Sequence, residues 1–326
     1  MASKKDKNPS KKKDKYRIRN WNEYNRSLIN RGSITFWFSK DVIEHWYSTD
    51  KPKKKGHPNI YSDDAIRCGL MIKAIFHIPF RMLQGLLTSL IEILGLQLSC
   101  PNYSVFCRRA RGLEIPLRRW LKPGEKLNVI FDSTGMKVIG EGEWKVRKHG
   151  YSKRRTWRKI HVGICADTGQ VVISAVTGND VSDDLAMIYM MEALEDVAIG
   201  DVFGDGAYDT IDCRESVYNR NGRQVIPPDK NAKLQKGKPI PALMERDRII
   251  RRIQGLGEEG RAHWKKEAGY HRRSRVETHM FRHKMILGDR LASRREWSQT
   301  TEIRIGLDIL NRMTELGRPK SYKVAA

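Results

Sequence analysis

A spaced quartet and two distant aspartates constrain this chain more than its length or composition does. Tyr270, Arg273, Glu277 and Lys284 are set out as Tyr-x2-Arg-x3-Glu-x6-Lys, and Asp132 and Asp205 each end a short apolar run far upstream. At about 100° per residue on a helix, the quartet falls within a sector of roughly 60°, so one carboxylate and two cations project from one face beside a phenol. Such a stripe suits a polyanion held against divalent metal, with the carboxylate on the metal and the cations on phosphate. Taken alone, it equally describes a solvated helix face with Arg273 and Glu277 as an i,i+4 ion pair. Asp132 and Asp205 tip the balance, because both fall at predicted strand ends, where an α/β sheet gathers its chemistry.

The strands are read from short apolar runs. Leu127 to Phe131 predicts a buried strand, Ile160, Val162 and Ile164 alternate through a second, and Asp167-Thr168-Gly169 turns the chain into a third over Val171 to Val176. Ser182 caps a helix carrying Leu185, Ile188, Met191 and Leu194. Val202 and Phe203 lead to Asp205, a helix follows from Asp209 to about Asn221-Gly222, and Arg223 to Ile226 is a last strand. Three strands, a helix, a strand, a helix, a strand and a closing long helix make a ribonuclease-H-like order. The pattern alone predicts only a mixed α/β class.

Upstream of Pro123-Gly124 the chain reads as helical. Residues 1–19 hold nine Lys or Arg and almost no apolar side chain, which predicts a disordered basic arm. Ser62 with Asp63 and Asp64 starts a helix through Ile66, Leu70, Ile72 and Ile75; Pro79 precedes a second, which ends at Gly95. After Ser99-Cys100-Pro101 comes Tyr103 to Leu113, a basic helix containing Arg108, Arg109 and Arg111. The two helices before and after that break outline a helix-turn-helix reader or a plain bundle.

Composition agrees with a polyanion partner. Lys and Arg number 62 against 38 acids, a formal net charge of +24; a chain this basic usually meets a polyanion, and a generic basic protein is the alternative. Its 326 residues leave room for sizeable cores, so disordered and disulfide-scaffold classes fit poorly. Five cysteines, odd in number and without a Cys-x2-Cys pair, read as reduced cytosolic thiols. No segment reads as a signal peptide, and the apolar region from Leu83 to Leu98 is interrupted and shorter than the roughly 20 residues of a membrane span.

The proposed ligands Asp132, Asp205 and Glu277 are hard oxygen donors, which favours magnesium or manganese, and two such ions about 3.5 to 4 Å apart serve both ends of a phosphodiester displacement. Zinc is the competing reading, since His279 and His283 stand i,i+4, but Met280 occupies the position where a zinc-protease motif requires Glu. Between the first two strands, Trp144 to Lys159 interleaves Lys153, Arg154, Arg155 and other cations with Trp144, Tyr151 and Trp157. That mixture suits a DNA strand across the sheet edge, or a solvated loop. Residues 227–260 look like a short basic insertion with no assigned role.

Val129-Ile130-Phe131-Asp132-Ser133-Thr134-Gly135, Gly204-Asp205-Gly206-Ala207-Tyr208-Asp209 and the Tyr270 to Lys284 signature together resemble the DDE transposases of bacterial insertion sequences, in insertion sequence family five. The resemblance implies a ribonuclease-H-like catalytic domain over residues 125–317, preceded by an all-α DNA-binding domain over 20–121 and followed by a tail, 318–326. It maps the catalytic and metal-binding triad to Asp132, Asp205 and Glu277, with Asp132 bridging both ions, and makes Tyr270, Arg273 and Lys284 DNA contacts. It also implies terminal inverted repeats and target DNA as double-stranded partners, a homo-oligomeric synaptic complex, and a cytoplasmic, nucleoid-associated bacterial protein. The rival expectations are a nuclease of the same fold that cuts without joining and a non-catalytic DNA-binding regulator.

Overall fold

The structure is a computed structural model that describes residues 15–49, 59–117, 124–138 and 157–324. Residues 1–14 of the expected arm and the segment bearing Lys153, Arg154 and Arg155 lie outside the described residues. The arm is shorter than expected in one respect: strand β1 (Lys15–Ile18) pairs antiparallel with β8 (Ser321–Val324), so its last residues and the expected tail form a two-stranded sheet.

Helices α1 (Trp21–Asn30), α2 (Ile34–Trp37), α3 (Lys40–Glu44), α4 (Asp63–Ile75), α5 (Phe80–Ile93) and α6 (Tyr103–Arg109) come first. Ser62 caps α4 as its sequence predicts, accepting from the Ala65 amide. The expected helix-turn-helix pair does not have a tight turn, because α5 and α6 are separated by residues 94–102. It is α4 and α5 that meet across a short connection, residues 76–79, at a 113° bend.

The main sheet runs in the order β4 (Val171–Thr177), β3 (Trp157–Cys165), β2 (Leu127–Val138), β5 (Ile199–Phe203), β6 (Arg223–Val225). β2, β3 and β4 are antiparallel, β5 and β6 run parallel to β2, and the short β7 (Arg290–Leu291) pairs with the far end of β2. β2 is the organising strand and is longer than the apolar run predicts. It continues through Asp132 to Val138, so Asp132 is a mid-strand residue and not a strand end.

Because side chains alternate across a strand, β2 divides the molecule into two layers. Ile130 and Met136 belong to the same buried cluster as helices α4 to α6, whereas Val129 and Phe131 join a second cluster with α7 (Asp183–Glu192) and α8 (Ile211–Tyr218). The first layer also holds α11 (Ser274–Leu287) and α12 (Glu296–Leu316), which follow α9 (Met244–Gly255) and α10 (Gly260–Glu267). The segment read as an insertion thus supplies α9, and no single helix among the described residues is long and apolar enough to cross a membrane.

Helix α12 is buried through most of its length and packs on α4, α11 and β4. Its Asn311 side chain accepts from the Val171 amide and donates to the Val171 carbonyl, both at 2.7 Å, closing the polar edge of β4. One continuous cluster runs from Trp37 and Phe106 through Leu307 to Val162, so the helical segment and the sheet share a core. His279 and His283 are part of this packing. Both are buried, and burial holds them neutral by pushing their pKa values down to about 3 and about 4.

Two expectations follow from this packing. A Cβ on Gly306 would lie 2.7 Å from His283 Nε2 and 2.9 Å from Leu287 Cδ1, so Gly306→Ala should destabilise by about 1–3 kcal/mol through overpacking. An unchanged denaturant midpoint would show that α11 and α12 can separate freely. His161 is fully buried in β3 and is likewise pushed down to about 4, by burial first. An unfolded histidine titrates near 6.5, so as pH falls from about 6.5 to about 4 the unfolded chain takes up protons first and stability declines. A His161→Gln/His283→Gln variant should lose up to about 1.4 kcal/mol per pH unit of that slope for each histidine, read as thermal midpoint against pH.

Candidate active site

The parallel pairing of β2 with β5 brings the two aspartates together. Ile130 is in register with Phe203, and each chain reaches an aspartate two residues later. β5 stops at Phe203 while β2 continues to Val138, where β7 takes up the pairing. The edge of β2 from Phe131 to Met136 is therefore left open as a notch, and Asp132 lies in it. Asp205 stays at the carboxyl end of its strand as the sequence predicts, and caps a 3-10 turn over Gly206–Tyr208.

Each aspartate uses one oxygen for the backbone and turns the other toward a common point. Asp205 Oδ1 accepts from the Ala207 amide at 2.9 Å, and Asp132 Oδ1 accepts from the Ser133 amide at 2.9 Å. The Arg273 guanidinium occupies the common point: Nη2 is 3.4 Å from Asp132 Oδ2 and 3.2 Å from Asp205 Oδ2, while Nη1 donates to Glu277 Oε1 at 2.6 Å. Three carboxylates from three separate segments meet on one cation.

The signature is not one continuous α-helix. Tyr270 and Arg273 lie on a 3-10 turn, Tyr270–Arg273, and α11 begins at Ser274. Gly269 enters that turn at φ 69°, a left-handed conformation that a Cβ disfavours. The turn is fixed to the β3–β4 connection by an Arg272–Asp167 ion pair and by the Arg275 side chain donating to the Ala166 carbonyl. At the other end of α11, Lys284 Nζ donates to Thr134 Oγ1 at 2.7 Å, so the signature lysine also reaches into the β2 notch. Tyr270 lies half-buried beside Trp264, with Lys265 Nζ 4.9 Å from its ring centroid, and burial pushes its phenol pKa up.

The electrostatics show that the carboxylates are crowded. Burial raises the Asp132 pKa above the usual carboxylate range; Arg273 and the Ser133 amide oppose that shift, and Asp205 and Glu277 add to it. Burial disfavours charge on Arg273, yet Asp132, Tyr270, Asp205 and Glu277 together outweigh it and hold the guanidinium above its ordinary value. An all-oxygen donor set that already demands a cation at its focus is suited to a hard divalent metal.

A second charged cluster, missed by the sequence reading, lies on the opposite face of β2. Asp183, in the first turn of α7, is 2.9 Å from Lys159 Nζ and 3.3 Å from His161 Nδ1. Burial opposes its ionisation, but hydrogen bonds from Ser133 and Lys159 prevail and lower its pKa. The sequence presents Asp183 only as a residue in a helix's first turn; its pairing with β3 depends on tertiary contact.

The remaining predicted residues are scattered. Arg108 and Arg111 are exposed on and just beyond α6. Arg109 turns inward, donating to the Tyr61 carbonyl at 2.8 Å and pairing with Asp63 at 2.5 Å, a structural role. Trp157 is half-buried at the start of β3, with Lys137 Nζ 5.7 Å from its ring centroid. Arg158 pairs with Glu296 and donates to Gln299 Oε1 at 2.7 Å. Arg273 and Lys284 are occupied by protein partners.

Two family comparisons match this chain. Residues 123–311 match a family described as Transposase DDE domain, and residues 29–141 match a second family with the same description. Among solved structures, the chain is similar to a piggyBac transposase in a cryo-EM synaptic complex with hairpin DNA, at 11% identity and a TM-score of 0.41, over 87% of this chain and 75% of that one.

Arg273 is expected to act as the counter-ion of the three carboxylates. Arg273→Ala should lower the thermal midpoint in chelator, because like charges are left facing one another. Added magnesium or manganese should then raise the variant's midpoint by more than it raises the wild type's. A variant with a wild-type midpoint in chelator would show that the carboxylates do not need the guanidinium.

Proposed function

The chain belongs to the DDE transposase family, and we propose that it mobilises a bacterial insertion sequence of family five by binding that element's terminal inverted repeats. As a DDE transposase it catalyses DNA cleavage and strand transfer. The catalytic fold in this proposal is ribonuclease-H-like, and the observed strand order, with β2 central between β3 and β5, supports it. The single observation that carries the reading is the convergence of Asp132, Asp205 and Glu277 on Arg273.

Divalent metal held by these three carboxylates would activate an oxygen nucleophile and stabilise the leaving 3′ oxygen. Magnesium or manganese suits the oxygen donors, as one or two ions. The chain's own groups supply the rest. Asp132 and Asp205 keep one oxygen each on a backbone amide, which fixes the direction of the other. Arg273 and Lys284 bring two cations to the same notch, where phosphate beside the scissile bond is their partner in this proposal. The anchoring of the signature turn on Asp167 and Ala166 holds Glu277 over the sheet.

Residues 20–121 are proposed to contribute most of the sequence recognition, with Arg108 and Arg111 as exposed cations facing DNA. Arg109 is spoken for by Asp63. A synaptic homo-oligomer acting on nucleoid DNA in the bacterial cytoplasm completes the proposal; the piggyBac structure is itself a synaptic complex with hairpin DNA.

Replacing Asp132, Asp205 or Glu277 by Ala should bring cleavage and joining below detection in assays with an end-containing duplex and magnesium. Binding of the same duplex should stay within about threefold, since phosphate contacts elsewhere dominate affinity. Cleavage by Asp205→Ala would sink the assignment. Nicked but never joined products from the wild-type chain would identify a nuclease instead.

A further inference from the structure

A cleft of about 870 Å³ opens between the start of α5, α6 and the start of α12. Two classes of side chain line it. Arg81, Arg108, Arg111, Arg294 and Arg295 are all exposed there, and no acidic residue among the described residues joins them. Beside them stand the rings of Tyr103 and Trp297, with the Arg81 guanidinium 4.6 Å from the Tyr103 ring centroid and Arg111 5.8 Å from that of Trp297. Cations gathered without acids call for an anion, and rings in a concavity call for a flat apolar partner.

One ligand class carries both properties in alternation: an unstacked nucleic acid strand, with a phosphate on each side of every base. Base stacking on aromatic side chains and backbone tracking by cations is the general chemistry of single-strand binding. A duplex hides its base faces by stacking and offers the cleft only phosphates. The volume falls within roughly 300–1,000 Å³, the range of clefts that enclose a small organic molecule, and so admits a short unstacked stretch.

The cleft is tied to the carboxylate site through β3. Arg158 holds Glu296 and Gln299 in the first turns of α12, and Val162, four residues on, pairs with Asp132. At about 3.3 Å per residue, Arg158 and Val162 are roughly 13 Å apart along the strand, so one strand connects the helix that borders the cleft with the carboxylate site. We propose that this cleft binds a single-stranded stretch of the DNA being processed, one unstacked base against Tyr103 and Trp297 and its flanking phosphates on the arginines. The inference rests on the transposase reading for the presence of DNA, but the cleft's own ligand chemistry is independent of catalysis.

Cys107 provides the probe, because it lines the cleft and is the exposed cysteine, while Cys68, Cys165 and Cys213 are buried and Cys100 is half-buried. Full-length protein is alkylated with N-ethylmaleimide, and modification of Cys107 is followed by peptide mass spectrometry. A short oligothymidylate should slow it severalfold, and a blunt duplex of the same length should slow it less. Tyr103→Leu should weaken oligothymidylate binding about five- to a hundredfold, and Arg294→Ala should reduce the magnitude of its log-affinity against log-salt slope by roughly 0.7. Equal protection by blunt duplex, equal protection by an acidic peptide, or wild-type affinity in Tyr103→Leu would each overturn the proposal. The footprint needs no turnover. Normal cleavage with an unprotected Cys107 removes the cleft alone, whereas cleavage by Asp205→Ala removes the catalytic assignment and leaves the footprint to stand or fall by itself.

Discussion

Three carboxylates facing one point are the constraint around which this structure is arranged. Two unit charges 4 Å apart repel by about 4 kcal/mol at the effective dielectric of a protein surface, and Asp132 is already disfavoured as an anion by burial. Positive charge at its centre relieves that repulsion and favours the ionised carboxylates. Arg273 provides that charge from the same turn that leads into Glu277, so the cation and the third carboxylate arrive together. The fixation of that turn on Asp167 and Ala166 then acquires a purpose: a displaced turn would move the counter-ion and the third carboxylate at once.

The sheet prepares the place where this happens. β5 is short and β2 is long, and their difference exposes a stretch of β2 beyond the last parallel pair. Alternation along β2 then sorts the chemistry by face. Asp132 and Thr134 lie on the side of α11, where Arg273 and Lys284 meet them, while Ser133 meets Asp183 on the side of α7. The buried His161 lies on that second face and remains neutral near pH 7.

Much of this was legible in the residues, for a definite reason. Asp132, Asp205 and Glu277 stand out through the segments that resemble the DDE transposases and through the two aspartates at apolar-run ends, since the spacing of the Tyr270 to Lys284 quartet by itself equally describes a solvated helix face. The strand sequence was legible because buried strands are continuous apolar runs and their turns contain Gly. What spacing could not express was length beyond the apolar run: Asp132, Ser133 and Thr134 are polar, so β2 looked finished at Phe131. The fates of individual arginines were equally hidden. Arg108 and Arg109 are sequence neighbours of identical chemistry, yet one faces solvent and the other is folded onto Asp63, a difference decided by helix phase against α4. Lys159 and Arg158, at the end of the cation-rich segment, are similarly committed to Asp183 and Glu296.

Helix α12 explains why the arginine cleft and the carboxylate notch belong to one mechanical unit. Its first turn supplies Trp297 to the cleft and is held by Arg158 of β3. Its middle approaches α11 so closely at Gly306 that His283 and Leu287 leave no room for a methyl group. Further along, Asn311 occupies both backbone groups of Val171 on β4. Interiors packed to crystal density transmit displacement instead of absorbing it. The cleft end of α12 is thereby joined through direct packing to the helix bearing Glu277 and to the outer strand of the sheet. Trp37, Phe106, Leu307 and Val162 belong to one buried cluster that spans the helical segment and the sheet. A molecule whose task requires DNA held at one place to be cut at another gains from that rigidity, because the separation between grip and chemistry is then set by the fold.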